Sequence, residues 1–345
     1  MLSPGEGRRK QGGEDDMKKF INAVDDILSE SLAGFAAAHA GLVALGAESR
    51  FVRRATLTPG KVALVSGGGS GHEPLHAGFV GYGMLDAACP GQVFTSPTPD
   101  QMAAAAEAVE NGAGVLFVVK NYSGDRMNFE MAGELLTCPF DSVVTDDDVA
   151  VESSTFSSSR RGVAGTLVVE KIVGAAAEAG GDLASLKALG DRVNASTRSM
   201  GVALTSCTAP AAGRPTFQLG ENDMEMGVGI HGEPGRRRVP LASADRIAEE
   251  MVAAVAADLG ARIRGDALLL VNGFGGTPLM ELYLMYHSAR AAIEKHGARV
   301  VRSLVGDYVT SLDMAGCSIT VSMLDGDLAR LWDAPVETPA LRWGR

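Results

Sequence analysis

The chain has 345 residues, long enough for two α/β domains or one large one. With 46% hydrophobic and 21% charged residues it has the balance of a soluble protein with a real core. A net charge of −11 argues against nucleic acid as the main partner, and apolar runs such as 115–119 and 267–271 are far shorter than the ~20 residues of a membrane span.

Residues 1–16 are polar and Gly-rich, and read as a disordered leader or tag ahead of a natural-looking start at Met17. Phe20, Ile21, Val24, Ile27, Leu28, Leu32 and Phe35 recur at helical spacing and predict a first helix. Residues 61–66 predict a strand that runs into Gly67-Gly68-Gly69-Ser70-Gly71. Thr98, Pro99 and Gln101 mark a helix start, with Thr98 as N-cap and Gln101 reaching back. Residues 114–120 form a second buried strand ending in the loop 121–125, and 142–145 a third, followed by Asp146-Asp147-Asp148. Helices are predicted over 163–179 and 183–199. Beyond them, 202–205 and 225–231 read as strands, and 267–272 leads through Gly273-Phe274-Gly275-Gly276 into a helix from about Thr277. Strands at 300–306 and 318–324 close the pattern. The expectation is an α/β fold of two domains, 17–197 and 198–345, with mostly parallel or mixed sheets flanked by helices. Ligands of such sheets sit beyond the strand C-termini, where the glycine loops fall. Cys89, Cys138, Cys207 and Cys317 contain no CxxC pair and fit the reduced thiols of the cytoplasm.

His72-Glu73-Pro74-Leu75-His76 spells H-E-x-x-H, the zinc-protease pattern, which needs both histidines on one face of an uninterrupted helix. The glycines before His72 put it at or before a helix start, with Pro74 in the first turn and no third ligand in view, so no metal is assigned. The glycine run also lacks the closing residues of a dinucleotide fingerprint, a Walker A loop and a nucleophile elbow. What survives is a glycine nest between a strand and a helix N-terminus, suited to an anion or an oxygen-rich ligand. Asp146-Asp147-Asp148 reads as a solvated acidic turn rather than a magnesium site, and Arg236-Arg237-Arg238 as a surface loop.

Three segments join glycine freedom to a titratable group at a strand end. They are 67–72 with His72, 120–125 with Lys120 and Asp125, and 227–234 with His231 walled by glycines. Taken alone, His231 reads equally well as a turn histidine or a functional one. Together, His72, Asp125 and His231 offer a base, an orienting donor and a nucleophile, and Lys120 can balance negative charge.

SGGGSGHEP (66–74), FTSPTPD (94–100), VVKNYSGDRMNFE (118–130), DDDVAV (146–151), RRGVAGT (160–166), MEMGVGIHGEPG (224–235), TSLDMAG (310–316) and WDAPVETPALRWG (332–344) resemble the K subunit of dihydroxyacetone kinases, essentially from Met17 to Arg345. The resemblance implies two α/β domains, a homodimer, and a ketone held as a hemiaminal on a histidine that falls on His231. It places substrate binding also on Gly69, Ser70, Gly71, His72, Lys120 and Asp125, with His72 and Asp125 catalytic beside His231. It implies no cofactor on this chain: ATP or ADP with magnesium sits on a separate L subunit, reloaded from ATP or through a phosphoenolpyruvate-dependent M subunit. The implied activity is phosphorylation of dihydroxyacetone to dihydroxyacetone phosphate by a cytoplasmic phosphotransferase that needs its partner. A covalent grip would explain acceptance of a ketone over glycerol. It would also orient the hydroxyl, a gain of up to about 7–11 kcal/mol. Two alternatives stand beside it: a kinase subunit for erythrulose or a related four-carbon ketose, and a ketone-sensing coregulator without catalysis. The link between Leu136 and Val143 and the stretch 256–265 look shorter than in familiar members. Arg126 is shared with the ATP-dependent branch, which leaves the phosphate donor open.

Overall fold

The protein is described by a computed structural model over residues 18–150, 160–233 and 235–345, so the leader and Met17 lie outside the described residues. Among those residues β1 (Val43–Leu45), β2 (Val52–Arg54), β3 (Ala63–Ser70), β4 (Ala87–Val93), β5 (Val115–Lys120) and β6 (Phe140–Thr145) form one sheet in the order β1-β2-β4-β3-β5-β6. β4, β3, β5 and β6 are parallel, and β2 pairs antiparallel with both neighbours. The same part of the chain supplies α1 (Ile27–Ala38), α2 (Pro99–Val109), α3 (Ser123–Leu135), α4 (Gly165–Glu178) and α5 (Leu183–Ala195).

A second six-stranded sheet begins at Thr197. It contains β7 (Thr197–Ala203), β8 (Asp223–Met226), β9 (Arg237–Pro240), β10 (Gly265–Gly273), β11 (Ala298–Gly306) and β12 (Gly316–Leu324), in the order β11-β10-β12-β7-β8-β9. Only β10–β11 is parallel there, because no helix separates β7, β8 and β9 to carry a crossover. Helices α6 (Ala244–Leu259), α7 (Leu279–Lys295) and α8 (Gly326–Asp333), and the small hairpin β13 (Val336–Glu337) and β14 (Arg342–Trp343), complete the chain. No described helix is long and apolar enough to cross a membrane.

Side-chain alternation along the strands sets the layering. In β5, Val115, Phe117 and Val119 pack with Met102, Ala106 and Phe129 of α2 and α3, while Leu116 and Val118 join Leu167, Val168 and Ile172 of α4. In β10, Ala267, Leu269 and Val271 pack with Val252 and Leu282 of α6 and α7, while Leu268 and Leu270 join the α4 cluster. Helices α4, α5 and α8 are thus a shared middle layer that touches β5 and β6 on one side and β7 and β12 on the other. This explains why α4 is buried around nearly its whole circumference.

Several local expectations change. Thr98 is the N-cap of α2, yet Gln101 turns away from it to donate to the Arg50 and Pro90 carbonyls at 2.5 and 2.9 Å. β8 ends at Met226, so 227–231 is a turn rather than a strand, and Arg237 and Arg238 belong to edge strand β9 rather than to a loop. The acidic turn is not solvated. Asp147 accepts the Val163 and Gly165 N–H groups at 2.8 and 2.7 Å, and burial raises its pKa to about 6. Asp148 is equally buried, against Arg161.

Candidate active site

The glycine run is not the nest its composition suggests. β3 continues through Ser70, and no α-helix follows, since His72 leads into turns and a short 3-10 segment, Ala77–Phe79. Glycine is required there because neighbours occupy the space of a side chain. A Cβ on Gly67 would lie 2.6 Å from the Cys89 carbonyl oxygen, one on Gly68 2.1 Å from Lys120 Nζ, and one on Gly69 2.5 Å from the Thr95 nitrogen. Gly71, with φ of +99°, ends the strand against the Phe94 ring.

Lys120, the last residue of β5, is laid beneath this strand and fully buried. Its Nζ donates to the Gly67 carbonyl at 3.2 Å and to His76 Nε2 at 2.8 Å, and lies 3.6 Å from Asp125 Oδ2. An ammonium group can only donate, so His76 Nε2 accepts and its proton sits on Nδ1, 2.6 Å from Glu170 Oε1. The two histidines of H-E-x-x-H therefore serve separate networks. Asp125, in the first turn of α3, also accepts from the Ser96 hydroxyl.

His72 Nδ1 lies 2.9 Å from the Thr310 carbonyl, which can only accept. That leaves a lone pair on Nε2, which is buried with no partner among the described residues. Burial first, then His231 and Lys120, hold this imidazole well below its usual pKa and therefore neutral. Its ring stacks on Phe94 at 5.2 Å.

His231 arrives from the second sheet, in the turn between β8 and β9. Its ring stands edge-on to His72 at 4.6 Å, to Tyr122 at 4.5 Å and to Phe94 at 5.6 Å. The side chain keeps 19% exposure. Its backbone N–H donates to Glu233 Oε2 at 2.8 Å, and Nδ1 is 4.0 Å from Glu233 Oε1. Burial, followed by Lys120 and Arg161, lowers its pKa to about 3, so the ring is neutral at pH 7. The Tyr122 hydroxyl is also buried with no partner among the described residues, and burial raises its pKa well above the ordinary phenol value.

The structure thus brings His72, Lys120, Asp125 and His231 together at the C-terminal ends of β3 and β5. Ser70 turns its hydroxyl to the Gly91 carbonyl at 2.6 Å, and the Gly71 N–H is taken by the Glu73 carboxylate at 3.0 Å. Sequence reasoning passed over Phe94, Ser96, Tyr122, Glu233 and Thr310 as site residues. The signal available for them was their place inside the segments FTSPTPD, VVKNYSGDRMNFE, MEMGVGIHGEPG and TSLDMAG.

Fold and site define a two-sheet α/β protein with a small, histidine-lined polar site where the sheets meet. The Dak1 domain matches residues 33–340. The chain is 48% identical to the PEP-dependent dihydroxyacetone kinase, dihydroxyacetone-binding subunit DhaK, of Escherichia coli (strain K12), over 95% of this chain and all of that protein. The crystal structure of the dihydroxyacetone kinase of C. freundii in its native form superposes with a TM-score of 0.86 at 33% identity, covering 94% of this chain and 60% of that one. The dihydroxyacetone kinase operon co-activator Dha-DhaQ superposes with a TM-score of 0.84 at 34% identity, covering 90% and 97%. The chain belongs to the Dak1 domain family, that of the dihydroxyacetone kinase K subunits.

Proposed function

We propose that this chain binds dihydroxyacetone covalently on His231 and presents its hydroxyl for phosphorylation by a separate nucleotide-bearing L subunit. The observation that carries this reading is a neutral, partly accessible His231 flanked by the rings of His72 and Tyr122, whose Nε2 and hydroxyl are buried without a partner among the described residues. A neutral imidazole has the lone pair needed to add to a carbonyl. In that addition an N–C bond forms, the C=O π pair moves to oxygen, oxygen gains a proton, and the ring gives one up. His72 would hold a substrate hydroxyl through Nε2, and Asp125 would take the proton of the attacking hydroxyl, steadied by Lys120 and Ser96. Nucleotide and magnesium enter with the L subunit. The PEP-dependent relative favours reloading through a phosphoenolpyruvate relay over exchange with ATP. We further assign the protein to the cytoplasm as a homodimer, with a division of the chain near residue 197.

A second reading, a ketone-sensing coregulator, draws on the likeness to the operon co-activator. The intact set of Lys120, Asp125 and His72 speaks for catalysis, because a sensor needs the covalent anchor but not a base. A kinase assay with the purified L subunit, comparing ATP with phosphoenolpyruvate plus its relay, separates the two, and erythrulose in the same panel tests the four-carbon alternative. His231→Ala should abolish ketone binding and phosphorylation, while Asp125→Ala should keep binding and lose turnover. Wild-type rates from the His231 variant would end the covalent reading.

A further inference from the structure

DDDVAV and RRGVAGT carry part of the family resemblance, yet none of their residues has a role in the chemistry above. In the fold Asp148 of the first and Arg161 of the second meet behind His231. Arg161, 1% exposed, is fastened at three points. Nε donates to Asp148 Oδ2 at 2.7 Å, Nη2 to the Gly227 carbonyl at 2.8 Å, and Nη1 to Glu233 Oε1 at 3.0 Å. Asp148 in turn accepts the Ala150 N–H at 2.9 Å. Glu233 gives its other oxygen to the His231 backbone N–H at 2.8 Å and keeps Oε1 4.0 Å from His231 Nδ1. The arrangement has no slack: a Cβ on Gly229 would sit 1.9 Å from Glu233 Oε1 and 2.6 Å from Arg161 Nη1. This is one signal behind the glycine before Ile230 in the motif.

Two carboxylates on one buried guanidinium are a poor device for stability alone, because the cost of desolvating the ions offsets most of their attraction. Placed against a reactive side chain, the same row has a use. We infer that Arg161 and Asp148 are positioning residues that aim the Glu233 carboxylate at the backbone and Nδ1 edge of His231. The inference rests on His231 as the site of carbonyl addition. While Nε2 is bonding to the carbonyl carbon the ring is an imidazolium, until the Nδ1 proton departs. A carboxylate 4.0 Å away stabilises that charge, and a pinned turn keeps the ring edge-on to His72.

The test uses the full chain and 2-¹³C-dihydroxyacetone. Adduct is counted by intact-protein mass and by the ¹³C signal of the tetrahedral carbon after unbound ketone is removed. Glu233→Gln preserves size and an acceptor for the His231 N–H but removes the charge. It should melt as a folded protein and carry at least about tenfold less adduct at sub-saturating ketone, as expected for loss of a charge at this range in a buried site. Arg161→Lys should fall between Glu233→Gln and the wild type, because an ammonium cannot hold Asp148, Gly227 and Glu233 at once. Should Arg161→Lys fail to fold, Glu233→Gln still decides the matter. Wild-type adduct levels in folded Glu233→Gln and Arg161→Lys would overturn the positioning role while leaving the covalent reading standing. A wild-type protein that phosphorylates the ketone with no adduct at all would overturn both.

Discussion

Lys120 lies in a space that one methyl group on Gly68 would fill, since the added Cβ would come 2.1 Å from Nζ. Gly68→Ala must therefore push the ammonium away from Asp125 and His76 while leaving His231 untouched. The expected result is an adduct that still forms and a ketone phosphorylation rate about a hundredfold lower, the loss typical of a group displaced by about 1 Å. Steady-state kinetics with the L subunit, beside adduct counting, check it, and an unchanged rate would remove Lys120 from the chemistry. The glycine run is readable in the sequence as a place where something approaches closely. What approaches is not readable, because Lys120 is 52 positions away and only the β3–β5 pairing lays it there.

At the scale of elements, α4 shows how far periodicity reaches. A helix over 163–179 is evident from composition, and the observed Gly165–Glu178 agrees closely. Its caps are not evident, because Asp147, which accepts from Val163 and Gly165, comes from the end of another strand. Nor is the role of Gly174. A Cβ there would meet the Gly83 carbonyl oxygen and Met84 Cα at 2.5 Å, and both are backbone atoms that cannot rotate away. Gly174→Ala should destabilise the protein by about 1–3 kcal/mol, the usual cost of overpacking, despite the better helix propensity of alanine. A denaturant midpoint at or above that of the wild type would show that α4 can shift to make room.

Across the whole molecule, the middle layer buries ionisable groups that tie stability to pH. Glu170 of α4 has one carboxylate oxygen without a partner among the described residues, and burial raises its pKa from 4.5 to about 8 against the pull of Lys120. The folded chain thus prefers it protonated. Its contribution is whole below about pH 4.5, where folded and unfolded chains are both protonated, and is lost as pH rises towards about 8. His72, His76 and His231 act in the opposite sense, because their depressed pKa values cost stability as pH falls below about 6.5. The melting temperature of Glu170→Gln minus that of the wild type should therefore grow steadily from pH 5 to pH 8. A difference that stays flat across that window would mean that Glu170 does not titrate there.

The α/β class, the family and the three segments that supply His72, Lys120, Asp125 and His231 are legible in the residues alone. These are recorded locally, as periodicity, glycine usage and motif strings that need no knowledge of which strands pair. The three-dimensional packing places the glycines inside β3 and buries Asp147 and Asp148. It alone put the rings of Tyr122 and His72 beside His231, with Arg161 and Glu233 behind it. The reason is the range of the contacts. His72 meets Thr310 across 238 positions and Arg161 meets Glu233 across 72, and such meetings follow from how two sheets share one helical layer.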